Sequence, residues 1–123
     1  MTIDPLAGPS GYVRAASLAD LPPGSCLDVD VGEEVILLVN VDGTIHAVSA
    51  WCTHLGTSLV LGTLAEHKLT CYAHLWSYDV RSGDPIWPPM ARIVPGYRLR
   101  VYPVHVEGDD VFVAPLAFRG GLT

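Results

Sequence analysis

The sequence predicts an all-β fold, an antiparallel sandwich or barrel with an inserted lobe, on three observations. Short β-prone runs follow one another along the chain, each bounded by glycine, proline or acidic turn residues. Several of them alternate apolar with polar side chains, the period of two that marks a half-buried strand. Asp42-Gly43 separates two such runs and is the strongest hairpin signal present, since glycine accepts the positive φ of a type I′ turn. The chain of 123 residues is half apolar, which suits one domain over 1–123 with a moderate core.

In chain order, Tyr12 to Ala16 reads as a first strand. Ser17 to Leu21 reads as a single helical turn capped by Ser17 and ended by Pro22-Pro23-Gly24. Leu27, Val29 and Val31 then alternate with Asp28 and Asp30, and Cys26 falls in the same strand as a small hydrophobe. A turn at Gly32-Glu33 leads to the apolar run Val35 to Val39, and the Asp42-Gly43 turn to a strand from Thr44 to Ala50. The inserted lobe runs from Trp51 to about residue 90, with short strands near Leu69-Thr70 and from Ser77 to Val80. Arg98 to Val106 alternates again, Gly108-Asp109-Asp110 turns, and Val111 to Val113 closes the framework. Residues 1–10 and 119–123 read as loosely tethered ends.

Charge and composition exclude several classes. Asp and Glu outnumber Lys and Arg by 13 to 7, a net charge of −6, which argues against a nucleic-acid partner. No apolar run approaches the roughly 20 residues of a membrane-spanning helix; the longest, Val35 to Val41, is strand-sized. An acid, Asp4, stands where a signal peptide carries bases, so a cytoplasmic protein is expected. Three cysteines make no disulfide framework.

Two of those cysteines have close histidines. Cys52-Thr53-His54 and, sixteen residues further on, Cys71-Tyr72-Ala73-His74 each offer one thiolate and one imidazole. Two Cys and two His also form a common structural zinc set, but the usual finger pairs Cys with Cys and His with His. Each segment here is mixed, which suits a centre whose two sides need different ligands. His46, His67 and His105 have no cysteine at such spacing; His46 and His105 read as structural, and His67 as a solvent-exposed turn residue.

The two segments resemble the Rieske family, whose pattern is C-x-H, a spacer of about this length, then C-x-x-H. The resemblance implies the Rieske fold, with two metal loops and a proline loop, and one 2Fe-2S cluster. Cys52 and Cys71 would hold the inner iron, and His54 and His74 the outer iron near the surface. Leu55-Gly56 and Leu75-Trp76 would form two loop tips over the cluster, with backbone N–H groups turned to the sulfurs. Gly83 to Pro89, with Pro85 and Trp87, resembles the proline loop of the family.

Two departures bear on the redox chemistry. Respiratory members carry a disulfide between the cluster loops, where Thr57 and Ala73 stand here. They also carry a serine donor where Trp76 stands, while the tyrosine two positions on is retained as Tyr78. Fewer donors to the sulfurs imply a potential near or below zero, low in a Rieske range of about −150 to +300 mV. Docking is expected at His54, His74, Trp76 and Pro85 to Pro89, with Trp51 packed under its loop; a Trp76 ring folded over the cluster to exclude water is the other role expected of that residue. Arg92, Arg98 and Arg100 read as a solvated face, and Asp79, Asp84, Asp109 and Asp110 as acids available to a basic partner.

Nothing in the chain adds a substrate site: there is no room for a further mononuclear-iron domain, and no Gly-rich dinucleotide fingerprint is visible. An electron carrier is expected rather than an enzyme. Residues 71–77, Cys-Tyr-Ala-His-Leu-Trp-Ser, resemble the C-x-A-H-L-W-[ST] segment of ferredoxins serving toluene and alkene monooxygenases. That resemblance implies an NADH-oxidising flavin reductase and a diiron hydroxylase as partners. A ring-hydroxylating dioxygenase ferredoxin, which commonly has glycine at the place of Trp76, is the alternative. A non-catalytic Rieske-like accessory subunit and a redox sensor remain as further readings.

Overall fold

A computed structural model describes residues 11–94 and 96–115; the two ends expected to be loosely tethered lie outside the described residues. The strands form three antiparallel sheets. The first orders β1 (Val13–Ser17), β11 (Asp110–Val113) and β10 (Val104–Glu107). The second orders β2 (Cys26–Val31), β3 (Glu34–Val41), β4 (Thr44–Ser49) and β9 (Val101–Tyr102). The third orders β5 (Thr63–Ala65), β6 (Lys68–Thr70), β7 (Ser77–Asp79) and β8 (Pro85–Trp87).

The second sheet is the middle layer, and β3 shows why. Its alternate residues Leu37, Val39 and Val41 join one core, while Ile36 and Leu38 join another. A strand buried on both faces reads as a continuous apolar run, as this one does. The first core includes Leu59, Leu69, Tyr78 and Val80 of the third sheet and its approaches. The second includes Ala16, Val111 and Val113 of the first sheet.

The Asp42-Gly43 hairpin forms as the sequence requires, with φ of 50° and 96° at its two central residues. Ser17 caps the helical turn Leu18–Asp20, accepting from the Ala19 N–H. The third sheet is inserted between β4 and β9, which pair directly with each other at Ala47–Tyr102 and Val48–Val101. Both ends of the insertion are therefore fixed on the middle sheet.

Two expectations need correction. Arg98 to Val106 is not one strand: residues 98–100 belong to no strand, and Pro103 separates β9 from β10. Pro103 has no N–H for a ladder, and there the chain leaves the middle sheet for the first. The Pro85 to Pro89 segment is also more ordered than a loop. Residues 85–87 form β8, with Tyr78 opposite Pro85 and Ser77 opposite Trp87, and a 3-10 turn Pro89–Arg92 follows.

Candidate metal centre

Cys52 follows β4 and Cys71 follows β6, so each thiol leaves the end of a strand and enters a tight loop. The two loops share one backbone frame. The Cys52 N–H donates to Thr57 O at 2.8 Å and the Gly56 N–H to Cys52 O at 2.8 Å. In the second loop the Cys71 N–H donates to Trp76 O at 2.7 Å and the Leu75 N–H to Cys71 O at 3.1 Å. The fifth residue of each loop takes positive φ, 73° at Gly56 and 62° at Leu75. Glycine enters that region freely, whereas Leu75 does so at a cost.

The frame brings the four ligand candidates together at two depths. Cys52 and Cys71 are both buried and adjoin one another. His54 is half-buried and His74 exposed, their ring centroids 5.1 Å apart and nearly perpendicular. The Nδ1 of His54 is buried and has no hydrogen-bond partner among the protein atoms. A buried ring nitrogen with no proton partner is unfavourable unless it binds something, and a metal is a natural acceptor of its lone pair. Two buried thiols and two imidazoles nearer the surface make two pairs of unlike donors, which suit two irons.

Burial, followed by the neighbouring Cys52, pushes the Cys71 thiol above its ordinary value, while the Ala73 and His74 N–H groups pull it down. Those two N–H groups are the sulfur donors expected of the loop. Tyr78 lies fully buried beneath the first loop, its hydroxyl 3.2 Å from Cys52 Sγ, 2.8 Å from Thr53 Oγ1 and 3.2 Å from the Thr53 N–H. Burial and Cys52 raise the phenol well above its usual range, so the ring stays neutral and keeps its proton.

Of the two roles expected of Trp76, docking and a ring folded over the cluster, burial favours the second: it is only 7% exposed and belongs to the core. Its ring stacks on His54 at 4.4 Å and 6° and meets Tyr97 edge-on at 4.8 Å. It backs the half-buried imidazole instead of facing a partner. Pro85 is likewise buried in β8. Trp51, expected under its loop, is exposed, as are Tyr72, Ile86, Trp87 and Met90. At the tips, Leu55 and Leu75 are 64% and 62% exposed.

Three surface acids meet arginines. Asp79 meets Arg81 at 2.8 Å, Asp84 meets Arg98 at 3.2 Å and Asp110 meets Arg14 at 2.8 Å. Three of the four acids expected to face a partner already have basic neighbours, and Arg81 holds the Asp79 carboxyl below its ordinary range. Sequence reasoning missed Thr53 and Tyr97 at the site, and missed that His67 contacts His46 at 5.7 Å. Cys26 lines the core as a hydrophobe, its thiol raised by burial and then by Asp28.

The model of the Rieske [2Fe-2S] domain matches residues 11–103. The chain belongs to the Rieske family. Its cofactor is accordingly one Rieske-type 2Fe-2S cluster. Among curated relatives, it is 38% identical over 112 residues to the ferredoxin component of the alkene monooxygenase system of Xanthobacter autotrophicus (strain ATCC BAA-1158 / Py2), covering 89% of this chain and 87% of that one. It is 34% identical over 103 residues to the biphenyl dioxygenase ferredoxin subunit of Pseudomonas sp. (strain KKS102), covering 83% and 90%. The solved ferredoxin of carbazole 1,9a-dioxygenase from Nocardioides aromaticivorans IC177 superposes with a TM-score of 0.76 at 30% identity, covering 85% of this Rieske chain and 97% of that one. These relatives are named as ferredoxins of oxygenase systems, and both monooxygenase and dioxygenase systems occur among them.

Proposed function

We propose that this Rieske protein is the ferredoxin component of a multicomponent oxygenase. It takes single electrons from an NADH-dependent flavin reductase in the cytoplasm and delivers them to a carboxylate-bridged diiron monooxygenase. The observation that carries the ligand assignment is the paired donor set. Buried Cys52 and Cys71 stand at one depth, with His54 and His74 toward the surface and His54 Nδ1 left without a protein partner. The loops within the lobe of about residues 51–90 are its binding element. When bound there, the cluster supplies a one-electron store that needs no substrate pocket.

The residues of the chain do the rest. Cys52 and Cys71 sit away from water. The exposed His74 edge is the electron exit, and the stack on Trp76 holds the His54 ring in one orientation. Leu55 and Leu75 offer apolar contact beside that exit. A small transient interface suits a carrier that serves two partners in turn.

The choice of a diiron monooxygenase rests on residues 71–77 and has support in the 38% identity to the alkene monooxygenase ferredoxin. The dioxygenase reading has its own support in the biphenyl and carbazole relatives. In air and with the NADH-dependent flavin reductase, the protein mixed separately with a diiron hydroxylase and a ring-hydroxylating dioxygenase from its own genomic surroundings should sustain product formation with the first. Turnover with the dioxygenase alone would reverse the choice, and turnover with neither would point to an accessory or sensing role. Purified protein should contain two irons and two acid-labile sulfides per chain. His74→Ala and Cys52→Ser should each abolish the visible cluster spectrum.

A further inference from the structure

Nothing within a histidine fixes the rotation of its ring about the Cβ–Cγ bond, because that torsion is broad. The Nδ1 of His54 is buried without a protein partner, and rotation of the ring would move that nitrogen. A flat neighbour opposes the rotation. The Trp76 indole lies 4.4 Å from the imidazole and within 6° of its plane. Trp76 has the same soft torsion, so the stack is only as firm as what holds the indole.

Tyr97, half-buried against the same core, meets the indole edge to face at 4.8 Å and 71°. The chain beside it is tied down although residues 98–100 belong to no strand. The Arg98 Nε donates to the Ser82 carbonyl at 3.0 Å, the Leu99 N–H to the Gly83 carbonyl at 2.9 Å and the Arg100 N–H to Ser49 Oγ at 3.0 Å. The Tyr97 carbonyl lies 2.9 Å from Thr53 Oγ1, so this one residue touches both cluster loops. His74 has no such backing. It is exposed, and among the described residues its one ring contact is His54 at 5.1 Å.

We propose that Tyr97 is a positioning residue for His54. Its ring braces Trp76, Trp76 holds the imidazole in one orientation, and of the two histidines one is fixed while the other is free to meet a partner. A ligand held in one orientation whichever charge the centre carries needs less rearrangement when an electron arrives or leaves. The aromatic ring does this and the phenol hydroxyl does not, so phenylalanine suffices. The inference rests on His54 as a cluster ligand, the assignment behind the proposed function.

The test is pulsed EPR of the reduced holoprotein, which reads the hyperfine coupling of each histidine nitrogen bound to iron. The samples are wild type, Tyr97→Phe, Tyr97→Leu, Trp76→Leu and the Tyr97→Leu/Trp76→Leu double variant. The couplings depend on ring orientation and come from loaded chains alone, so a variant that merely loads poorly gives a weaker spectrum with unmoved couplings. Wild type should show two histidine couplings, and Tyr97→Phe the same two. In Tyr97→Leu one should shift or broaden while the other stays; Trp76→Leu should disturb the same one, and the double variant should add nothing to it. Electron self-exchange should slow about tenfold in Tyr97→Leu, the low end of the loss usual when a group orienting a metal ligand is removed, and keep the wild-type rate in Tyr97→Phe. Unmoved couplings or an unchanged self-exchange rate in Tyr97→Leu overturn the proposal, as does a change in both couplings or a further change in the double variant. Tyr97→Met replaces the leucine variant if that chain does not load, and the Tyr97 variants decide alone if Trp76→Leu does not. A wild-type spectrum with fewer than two histidine couplings would refute the ligand assignment, whereas two couplings indifferent to Tyr97 would refute the brace alone.

Discussion

Leu75 and Gly56 hold the same place in the two loops, yet only one is a glycine. Both take positive φ and both donate their N–H to the cysteine four residues before them. A left-handed conformation costs a residue with a Cβ about 1–2 kcal/mol. Gly56→Ala should lower stability by about 1 kcal/mol through backbone strain alone, because a Cβ at Gly56 meets open space. Leu75→Gly should leave stability unchanged or raise it by up to about 1 kcal/mol, since strain relief offsets the greater freedom of the unfolded glycine. Thermal unfolding of the two variants checks both signs. At this scale the four residues proposed as ligands stand out by spacing, and Tyr78 by its place after His74. Thr53 was silent inside its motif, because the carbonyl to which its hydroxyl donates belongs to Tyr97, 44 residues away. Trp76 was left between docking and cover, since adjacency to an exposed ligand does not say which way a side chain turns.

At the scale of elements, two glycines of the inserted lobe lie against backbone, one within the lobe and one on the segment that follows it. A Cβ on Gly62 would land on the Thr70 carbonyl, and one on Gly83 on the Leu99 carbonyl. Both obstacles are backbone, which cannot rotate away. Gly62→Ala should therefore destabilise the protein by about 1–3 kcal/mol even though its φ of −81° suits alanine. Chemical unfolding should show that loss, and a value within error of wild type would mean that the two segments separate freely. The strands around Asp42-Gly43 were legible because local turn chemistry and hydrophobic alternation agree there. β5 and β8 were not: both are largely exposed and Pro85 opens β8, so neither shows a buried alternation. The break at Pro103 was signalled by the proline itself, but alternation on both sides of it concealed the change of sheet.

Across the whole molecule, His46 of β4 and His67, between β5 and β6, join the middle sheet to the inserted one. The Nε2 of His46 is buried without a hydrogen-bond partner, and burial, then His67, lower its pKa from 6.5, with Asp79 opposing and Arg81 adding to the shift. The native state thus favours the neutral ring. Below the unfolded value the unfolded chain binds the extra proton, so this contribution to stability is complete above that value and declines as pH falls toward the lowered native one. Melting temperature should fall between about pH 7 and pH 5, and less steeply in His46→Gln than in wild type; equal slopes would remove His46 as the cause. Layer order was not legible, since alternation tells which residues are buried but not against which sheet. The two tip loops have a further consequence for the work of a carrier. Residues 51–57 and 71–76 contain no Asp, Glu, Lys or Arg, so the net charge of −6 lies elsewhere on the surface. Ionic strength should then govern how often a partner arrives but hardly how long it stays. Residence time would be set by a few exposed apolar side chains, short enough for the ferredoxin to leave one partner and reach the next.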